Sequence, residues 1–156
     1  MTLEHMRILV ATDGSEYAKK GLDYAVSLAS ISGGEIILLH VIPYAPDPTT
    51  SFWTSPVVEV MDRKYLDELR KDAERLIEEE KKRLEREIER IPHEIKVTSL
   101  IEFGEPAEKI LEIAEKTKAD LIVMGVRGKS SWKKIILGSV SDKVLDRAKI
   151  PVMIIR

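Results

Sequence analysis

Short apolar runs alternate along this chain with segments of helical periodicity, and this alternation constrains the possible folds more than any other feature. Apolar runs lie at residues 7–11, 36–42, 121–125 and 151–155. Strands that are apolar almost throughout are typical of a sheet covered on both faces. The alternation therefore predicts an α/β fold in which a parallel sheet lies between layers of helices.

A fifth strand and four helices complete the predicted pattern. Residues 94–100 alternate apolar and polar side chains, which predicts a strand at the edge of the sheet. Helical patterns cover residues 16–32, 57–91 and 139–148, and another helix begins with Pro106 in its first turn. Five strands joined by right-handed crossovers give a doubly wound sheet.

The long helical pattern at residues 57–91 carries charges outside its apolar stripe. Glu79 and Arg83 have the i,i+4 spacing of a favourable ion pair, as do Glu78 and Lys82. We expect this charged face to be solvated. A straight helix of this length would extend roughly 50 Å, so we also expect irregularity near its start.

A glycine-punctuated segment follows the apolar run that ends at Gly125. Gly125 and Gly128 are separated by two residues, and nine more precede Gly138 and Ser139, where the next predicted helix starts. Glycines can take positive φ and bring bare backbone close to a ligand. Unpaired N–H groups at a helix start, together with the helix dipole, favour phosphate. The segment therefore predicts an anion site, although its Gly-Lys-Ser lacks the earlier glycine of a Walker A loop, whose place is taken by Val123.

The composition of the chain argues against several classes of function. The net charge of −2 includes no concentrated basic stripe, so we expect no nucleic-acid partner. No apolar run approaches the roughly 20 residues of a membrane span, and the N-terminal residues lack the apolar core of a signal peptide. The absence of cysteine excludes thiol catalysis and thiolate metal sites. A cytoplasmic protein that does not bind membranes is expected.

The glycine spacing, together with three other blocks, resembles the ATP-binding branch of the universal stress protein family. These blocks are residues 8–15 at the first strand, 38–41 in the second and 150–155 at the end. The resemblance spans nearly the whole chain and implies one nucleotide-binding domain over residues 1–156. It also implies a Rossmann-like sheet of strand order 3-2-1-4-5, with helices on both faces. In that order strands one and four are neighbours, and ligands bind where the winding reverses.

Chemistry and the family resemblance imply the same binding positions. The glycines Gly125, Gly128 and Gly138 would present backbone N–H groups to phosphates, Ser139 and Ser141 would add hydroxyl donors, and Arg127 would add charge. Asp13 would hold Mg²⁺ or Mn²⁺ or a ribose hydroxyl. Ala11, Thr12 and Val41 would form the wall for adenine and ribose. The full set of expected cofactor-binding residues is Ala11, Thr12, Asp13, Val41, Met124, Gly125, Arg127, Gly128, Gly138, Ser139, Val140 and Ser141.

Simpler interpretations of the same residues stay open. Ser139 to Asp142 is also an ordinary helix-capping pattern, and Asp13-Gly14-Ser15 could be only a turn and a helix cap. His40 is expected to be a partly buried histidine with satisfied hydrogen bonds. Residues 43–56 predict a loop whose Tyr44, Phe52 and Trp53 either dock it on the domain or a partner chain, or form a lid over a nucleotide.

Three functions are compatible with these residues. The first is an ATP-binding stress or signalling module with slow or no hydrolysis, which acts on an unknown partner. The second is a phosphoryl-transfer enzyme or ATPase that needs a partner, because a hydrolase requires a cation clamp and a water-orienting group. The third is a nucleotide-free dimerisation module. We also expect a homodimer, because the last strand would leave an apolar edge uncovered, and the family resemblance implies antiparallel pairing there.

Overall fold

Five parallel strands form one sheet in the order β3-β2-β1-β4-β5. The computed structural model describes residues 3–43, 51–126 and 137–156. The strands are β1 (Arg7–Ala11), β2 (Glu35–Ile42), β3 (Lys96–Phe103), β4 (Leu121–Gly125) and β5 (Val152–Ile155). The predicted fold class and strand order are both confirmed, and β3 lies at the edge as expected.

Helices connect the strands, and the first follows its sequence signals closely. Helix α1 spans Glu16–Ser32, with Ser15 as its N-cap and Gly33 in the left-handed conformation as its C-cap. The other helices are α2 (Pro56–Glu59), α3 (Arg63–Glu89), α4 (Pro106–Lys116) and α5 (Ser139–Arg147), with a short 3₁₀ helix at Ser51–Thr54. The irregularity expected near the start of the helical pattern at residues 57–91 is therefore confirmed, because this pattern is divided between α2 and α3.

The two faces of the sheet carry separate apolar cores. On one face, α1 and α3 cover Ile8, Val10, Ile36 and Leu38, which are fully buried. On the other face, α4 and α5 cover the intervening strand residues, such as Leu9 and Ile122. Strands β1 and β4 are buried on both sides, which explains their continuously apolar sequences.

The third strand differs from its predicted position by a few residues. It was expected at 94–100, whereas β3 spans Lys96–Phe103. Its register follows β2, with Lys96 opposite Glu35 and Phe103 opposite Ile42. The end of β3 is therefore set by the length of its partner strand, β2. The alternation of apolar and polar residues within β3 does not reveal that length.

Candidate functional site

A cleft of about 390 Å³ opens at the carboxyl ends of β1, β2 and β4, against the first turn of α5. Ten of the twelve expected binding residues line it: Ala11, Thr12, Asp13, Val41, Met124, Gly125, Gly138, Ser139, Val140 and Ser141. The other two, Arg127 and Gly128, lie outside the described residues. Stretches more than a hundred positions apart in sequence thus meet where the winding of the sheet reverses, which is where ligands bind in such folds.

The start of α5 lies against this cleft and has backbone donors that the helix itself does not use. Its N-cap is Gly138, with φ −64° and ψ 159°, and this residue has no side chain to cap the helix. The first intrahelical bond runs from the Asp142 N–H to the Gly138 carbonyl at 3.0 Å. The N–H groups of Ser139, Val140 and Ser141 are therefore not used by the helix itself. The simpler interpretation, in which Ser139 caps the helix, does not match this geometry.

The two serines at the start of α5 have different environments. Ser139 is exposed. Ser141 is buried, and its hydroxyl lies 2.8 Å from the Val126 carbonyl oxygen and 3.1 Å from that of Gly125. The expectation that the Ser141 hydroxyl donates to phosphate is therefore wrong in this structure, because its one proton is directed at backbone carbonyls.

Gly125 also differs from its expected conformation. Among the described glycines, positive φ angles occur at Gly14, Gly33 and Gly104. Gly125 instead ends β4, where it pairs with Ile155 of β5. It lines the cleft as a strand residue, so the left-handed conformation suggested for it is not used.

The turn after β1 is tightly built. The Asp13 Oδ1 accepts a hydrogen bond from the Ser15 N–H at 2.9 Å, and the Ser15 hydroxyl accepts from the Ala18 N–H at 3.2 Å. Gly14 has φ +75°, a conformation that favours glycine. The turn and the helix cap proposed as the simpler interpretation of these residues are thus present. They also place Asp13 on the wall of the cleft.

The described residues hold no group of three or more histidine and acidic side chains that could bind a metal ion. Asp13 is the one acidic residue among the described residues of the cleft wall. A magnesium ion commonly takes only one or two carboxylates together with substrate phosphates and water. A single carboxylate therefore fits a metal that arrives with a nucleotide better than a metal bound by the protein alone.

Five residues, of which Thr12 and His40 line the cleft, form a closed ring of polar contacts. The Thr12 hydroxyl lies 3.2 Å from Glu87, and Arg83 Nη1 lies 2.9 Å from Glu87. Arg83 Nε donates to Glu80 at 2.7 Å, and Glu80 lies 3.3 Å from His40 Nε2. The His40 Nδ1 closes the ring at 2.7 Å from the Thr12 carbonyl oxygen. We name this set the Thr12 ring.

The Thr12 ring was only partly foreseen. His40 is half-buried and hydrogen-bonded, as predicted. Arg83 was expected to pair with Glu79 on a solvated face, but it pairs with Glu80 and Glu87, and its side chain is only 15% exposed. Residues 80, 83 and 87 continue the stripe formed by Ala73 and Leu84. Charges at positions where an apolar stripe should continue were the signal that could have revealed the ring.

Comparison with known proteins gives the family. A model of the universal stress protein family matches residues 4–156. This chain belongs to the universal stress protein family. It is 31% identical over 160 residues to universal stress protein MJ0577 of Methanocaldococcus jannaschii, which covers 100% of this chain and 98% of that protein. It is 37% identical over 151 residues to universal stress protein YxiE of Bacillus subtilis, covering 96% and 98%.

Solved structures of universal stress proteins have the same fold. The structure of MJ0577 matches this chain with a TM-score of 0.77 at 31% identity, and the match covers 97% of this chain and 95% of that one. The resemblance found in the glycine spacing and the strand blocks is thus confirmed as membership of the family.

The loop before α2 contributes to the edge of the cleft. Pro43 lines the cleft, and the Arg70 guanidinium lies 5.9 Å from the centre of the Trp53 ring. Trp53 therefore docks on α3, as one of the two interpretations predicted. Tyr44 lies outside the described residues. None of the helices in the described parts of the chain is long and apolar enough to cross a membrane.

Proposed function

We propose that this universal stress protein binds ATP in the cleft and acts as a nucleotide-dependent stress or signalling module in the cytoplasm. The observation that carries the proposal is the first turn of α5, whose N–H groups are unused by the helix and belong to residues that line the cleft. Such a helix start attracts phosphate through its N–H groups and its dipole. A cleft volume of about 390 Å³ falls within the usual range for small-molecule sites, roughly 300–1,000 Å³.

Each part of the cleft is suited to one part of the nucleotide. Backbone amides from Ser139 to Ser141 would bind the phosphates, and the exposed Ser139 hydroxyl is free to add a donor. Met124 and Val41 supply apolar surface for adenine, beside Ala11 at the end of β1 and Thr12 just after it. Arg127 and Gly128 would extend the phosphate site, as the family resemblance implies. Asp13 would hold Mg²⁺ or Mn²⁺ that arrives with ATP, or a ribose hydroxyl.

We infer slow or no intrinsic hydrolysis. Phosphoryl transfer requires groups that orient the attacking water and stabilise the charge on the γ-phosphate. Asp13 is the one acidic residue on the described cleft wall, and its Oδ1 already accepts from the Ser15 N–H. His40 has both ring nitrogens beside oxygen atoms of Thr12 and Glu80, so it is poorly placed as a general base.

Calorimetric titration with ATP and Mg²⁺, followed by measurement of phosphate release, tests this function. We expect one ATP per chain and negligible turnover. Gly138→Val should abolish binding, because its φ of −64° accepts any residue while the new side chain fills the phosphate site. Asp146→Val, on the exposed face of α5, is the matched control and should bind normally. Normal ATP binding by Gly138→Val would refute the site, and many turnovers per minute without a partner would favour an ATPase.

We also propose a homodimer that pairs through β5. This strand is the last in the sheet order, and Val152, Met153 and Ile154 are only partly buried along it. Proteins rarely leave such an apolar edge uncovered. Pairing of two copies of β5 would cover it and leave the cleft, on the carboxyl side of the sheet, open to nucleotide.

A further inference from the structure

We propose that Arg83 and Glu87 of α3 are positioning residues for the cleft, which hold the turn after β1 in the conformation that receives the nucleoside. The inference rests on the nucleotide-binding function proposed above. Neither side chain is among the described residues that line the cleft. Both act through Thr12, which does line it and whose hydroxyl they contact.

The burial of these charges indicates that their position is specific. The Glu87 side chain is 7% exposed and that of Arg83 is 15% exposed, although both belong to a helix with a large solvated face. Charged side chains are rarely buried unless they are paired, because removing them from water is costly. Replacing one partner of a buried pair leaves the other charge uncompensated. The contact between Arg83 and Glu87 is therefore a specific one, because each side chain is held in place by the opposite charge of the other.

The Thr12 hydroxyl uses its full hydrogen-bonding capacity in the ring. It donates its proton towards Glu87, at 3.2 and 3.3 Å from the two carboxylate oxygens. Its oxygen accepts from the Gly14 N–H at 3.2 Å and from Arg83 Nη1 at 3.3 Å. A hydroxyl offers one donor and two acceptor positions, and all three are occupied. Helix α3 therefore fixes both the side chain of Thr12 and the path of the turn at Gly14.

Gly14 shows how closely α3 approaches the turn. A Cβ atom at this position would lie 3.0 Å from Arg83 Cδ, so the turn passes directly over the arginine stem. On the opposite side, the Thr12 N–H donates to the Leu39 carbonyl at 2.8 Å, and His40 binds the Thr12 carbonyl. Thr12 is thus held between β2 and α3. Loss of the α3 contacts leaves only the β2 side fixed.

The position of the ring predicts which part of the nucleotide is affected. The turn lies at the proposed adenine and ribose wall, whereas the phosphates are assigned to the start of α5. Loss of Arg83 should therefore weaken binding of AMP and ATP by the same factor. A change confined to the phosphate site would instead affect ATP more than AMP.

The experiment measures dissociation constants for AMP and for ATP with Mg²⁺ in four proteins, well below their unfolding temperatures. Arg83→Gln should raise both constants at least tenfold. Arg83→Lys should recover part of this loss, because lysine keeps the charge but lacks the planar fork that contacts Glu80 and Glu87 together. Arg75→Gln is the matched control on the same helix, where Arg75 pairs with Asp72 but is 69% exposed, and it should bind within twofold of the wild type.

A double mutant separates positioning from general damage. Thr12→Val removes the hydroxyl on which Arg83 acts, so adding Arg83→Gln to it should weaken binding by less than a further threefold. Where Arg83→Gln does not fold, Glu87→Gln carries the same test, because it keeps the size of the side chain and should still raise both constants at least threefold.

The outcomes distinguish this inference from the proposed function. A wild-type protein that binds neither AMP nor ATP refutes the proposed function, and it also refutes the positioning role of Arg83 and Glu87. A wild type that binds both, together with an Arg83→Gln protein that binds within twofold, overturns the positioning role while the nucleotide function stands. Fully multiplicative effects of Thr12→Val and Arg83→Gln would also overturn it.

Discussion

The Ser141 hydroxyl lies 2.8 Å from the Val126 carbonyl oxygen, and this contact ties the first turn of α5 to the chain just after β4. The same carbonyl accepts from the Gly138 N–H at 2.8 Å. Two bonds thus fix where the helix begins relative to the sheet. The orientation of the N–H groups that α5 does not use depends on this connection, because these groups belong to the same turn.

The two serines at the start of α5 should therefore respond differently to alanine. Ser141→Ala removes a buried donor from two carbonyls and should lower the free energy of unfolding by about 1 kcal/mol. Ser139→Ala, at an exposed position, should change it by less than about 0.5 kcal/mol but weaken ATP binding several-fold. Urea unfolding and calorimetry measure the two effects. Equal losses of stability in the two variants would contradict the assigned environments.

The turn at Gly14 should tolerate alanine poorly. Its φ of +75° costs an L-residue about 1–2 kcal/mol, and the added Cβ would lie 3.0 Å from Arg83 Cδ. Gly14→Ala should lower the free energy of unfolding by at least that amount in urea titration. Gly14→Asn separates the cost of the left-handed conformation from the steric contact with Arg83. Asparagine accepts this conformation more readily than alanine, but its Cβ still lies close to Arg83 Cδ. A Gly14→Ala protein as stable as the wild type would show that the turn does not have this conformation.

Elements fixed by local signals were predicted closely from the sequence. Helix α1 was expected over residues 16–32 and spans Glu16–Ser32, because Ser15 and Gly33 cap it from within the same segment. The cleft residues of β1, β4 and α5 were also found, since the doubly wound topology brings strand ends and the next helix start to one edge.

Features that depend on tertiary contacts were not predictable in the same way. The end of β3 follows the length of β2, and the partner of Arg83 depends on which face of α3 meets Thr12. In the sequence, Glu79 and Glu87 are equally spaced from Arg83, at four residues to either side. Only the packed helix decides between them, because Glu87 lies beside the Thr12 hydroxyl and is buried there.

Glu105 should make the stability of α4 dependent on pH. The Glu108 N–H donates to its carboxylate at 2.8 Å, and Lys143 of α5 lies 3.4 Å away. The backbone hydrogen bond from Glu108 and then the charge of Lys143 lower the pKa of Glu105 below its usual value of 4.5. Because the folded pKa is the lower one, the contribution is complete above pH 4.5 and is lost as the pH falls through the folded pKa.

Comparison of the wild type with Glu105→Gln measures this contribution. At neutral pH the variant should be less stable by a few tenths to about 1 kcal/mol, the usual effect of an anion at a helix N-terminus. The difference should shrink as urea titrations move below pH 4.5, the usual value for this carboxyl. Glu94→Gln, at an exposed position, controls for loss of a surface charge. A Glu105→Gln difference that grows towards acid pH would reverse the assigned direction of the shift.

The edge of β5 should determine the oligomeric state. The carbonyls of Pro151 and Ile155 accept from the Ile122 and Val126 N–H groups, so alternate residues of β5 bond to β4. By this alternation, residue 154 directs its backbone N–H to the open side of the strand. Ile154→Pro removes that donor from the edge while leaving the bonds to β4 in place.

Sedimentation velocity at micromolar concentration should therefore show a dimer for the wild type and a monomer for Ile154→Pro. Met153→Pro is the contrasting variant, because residue 153 directs its N–H to β4, and removing this donor leaves a carbonyl of β4 unpaired. This change should lower the free energy of unfolding by about 1–3 kcal/mol. A monomeric wild type would refute the proposed pairing. A dimeric Ile154→Pro protein would place the contact elsewhere, since a strand that lacks one of its outward N–H groups cannot complete an antiparallel ladder across a two-fold axis.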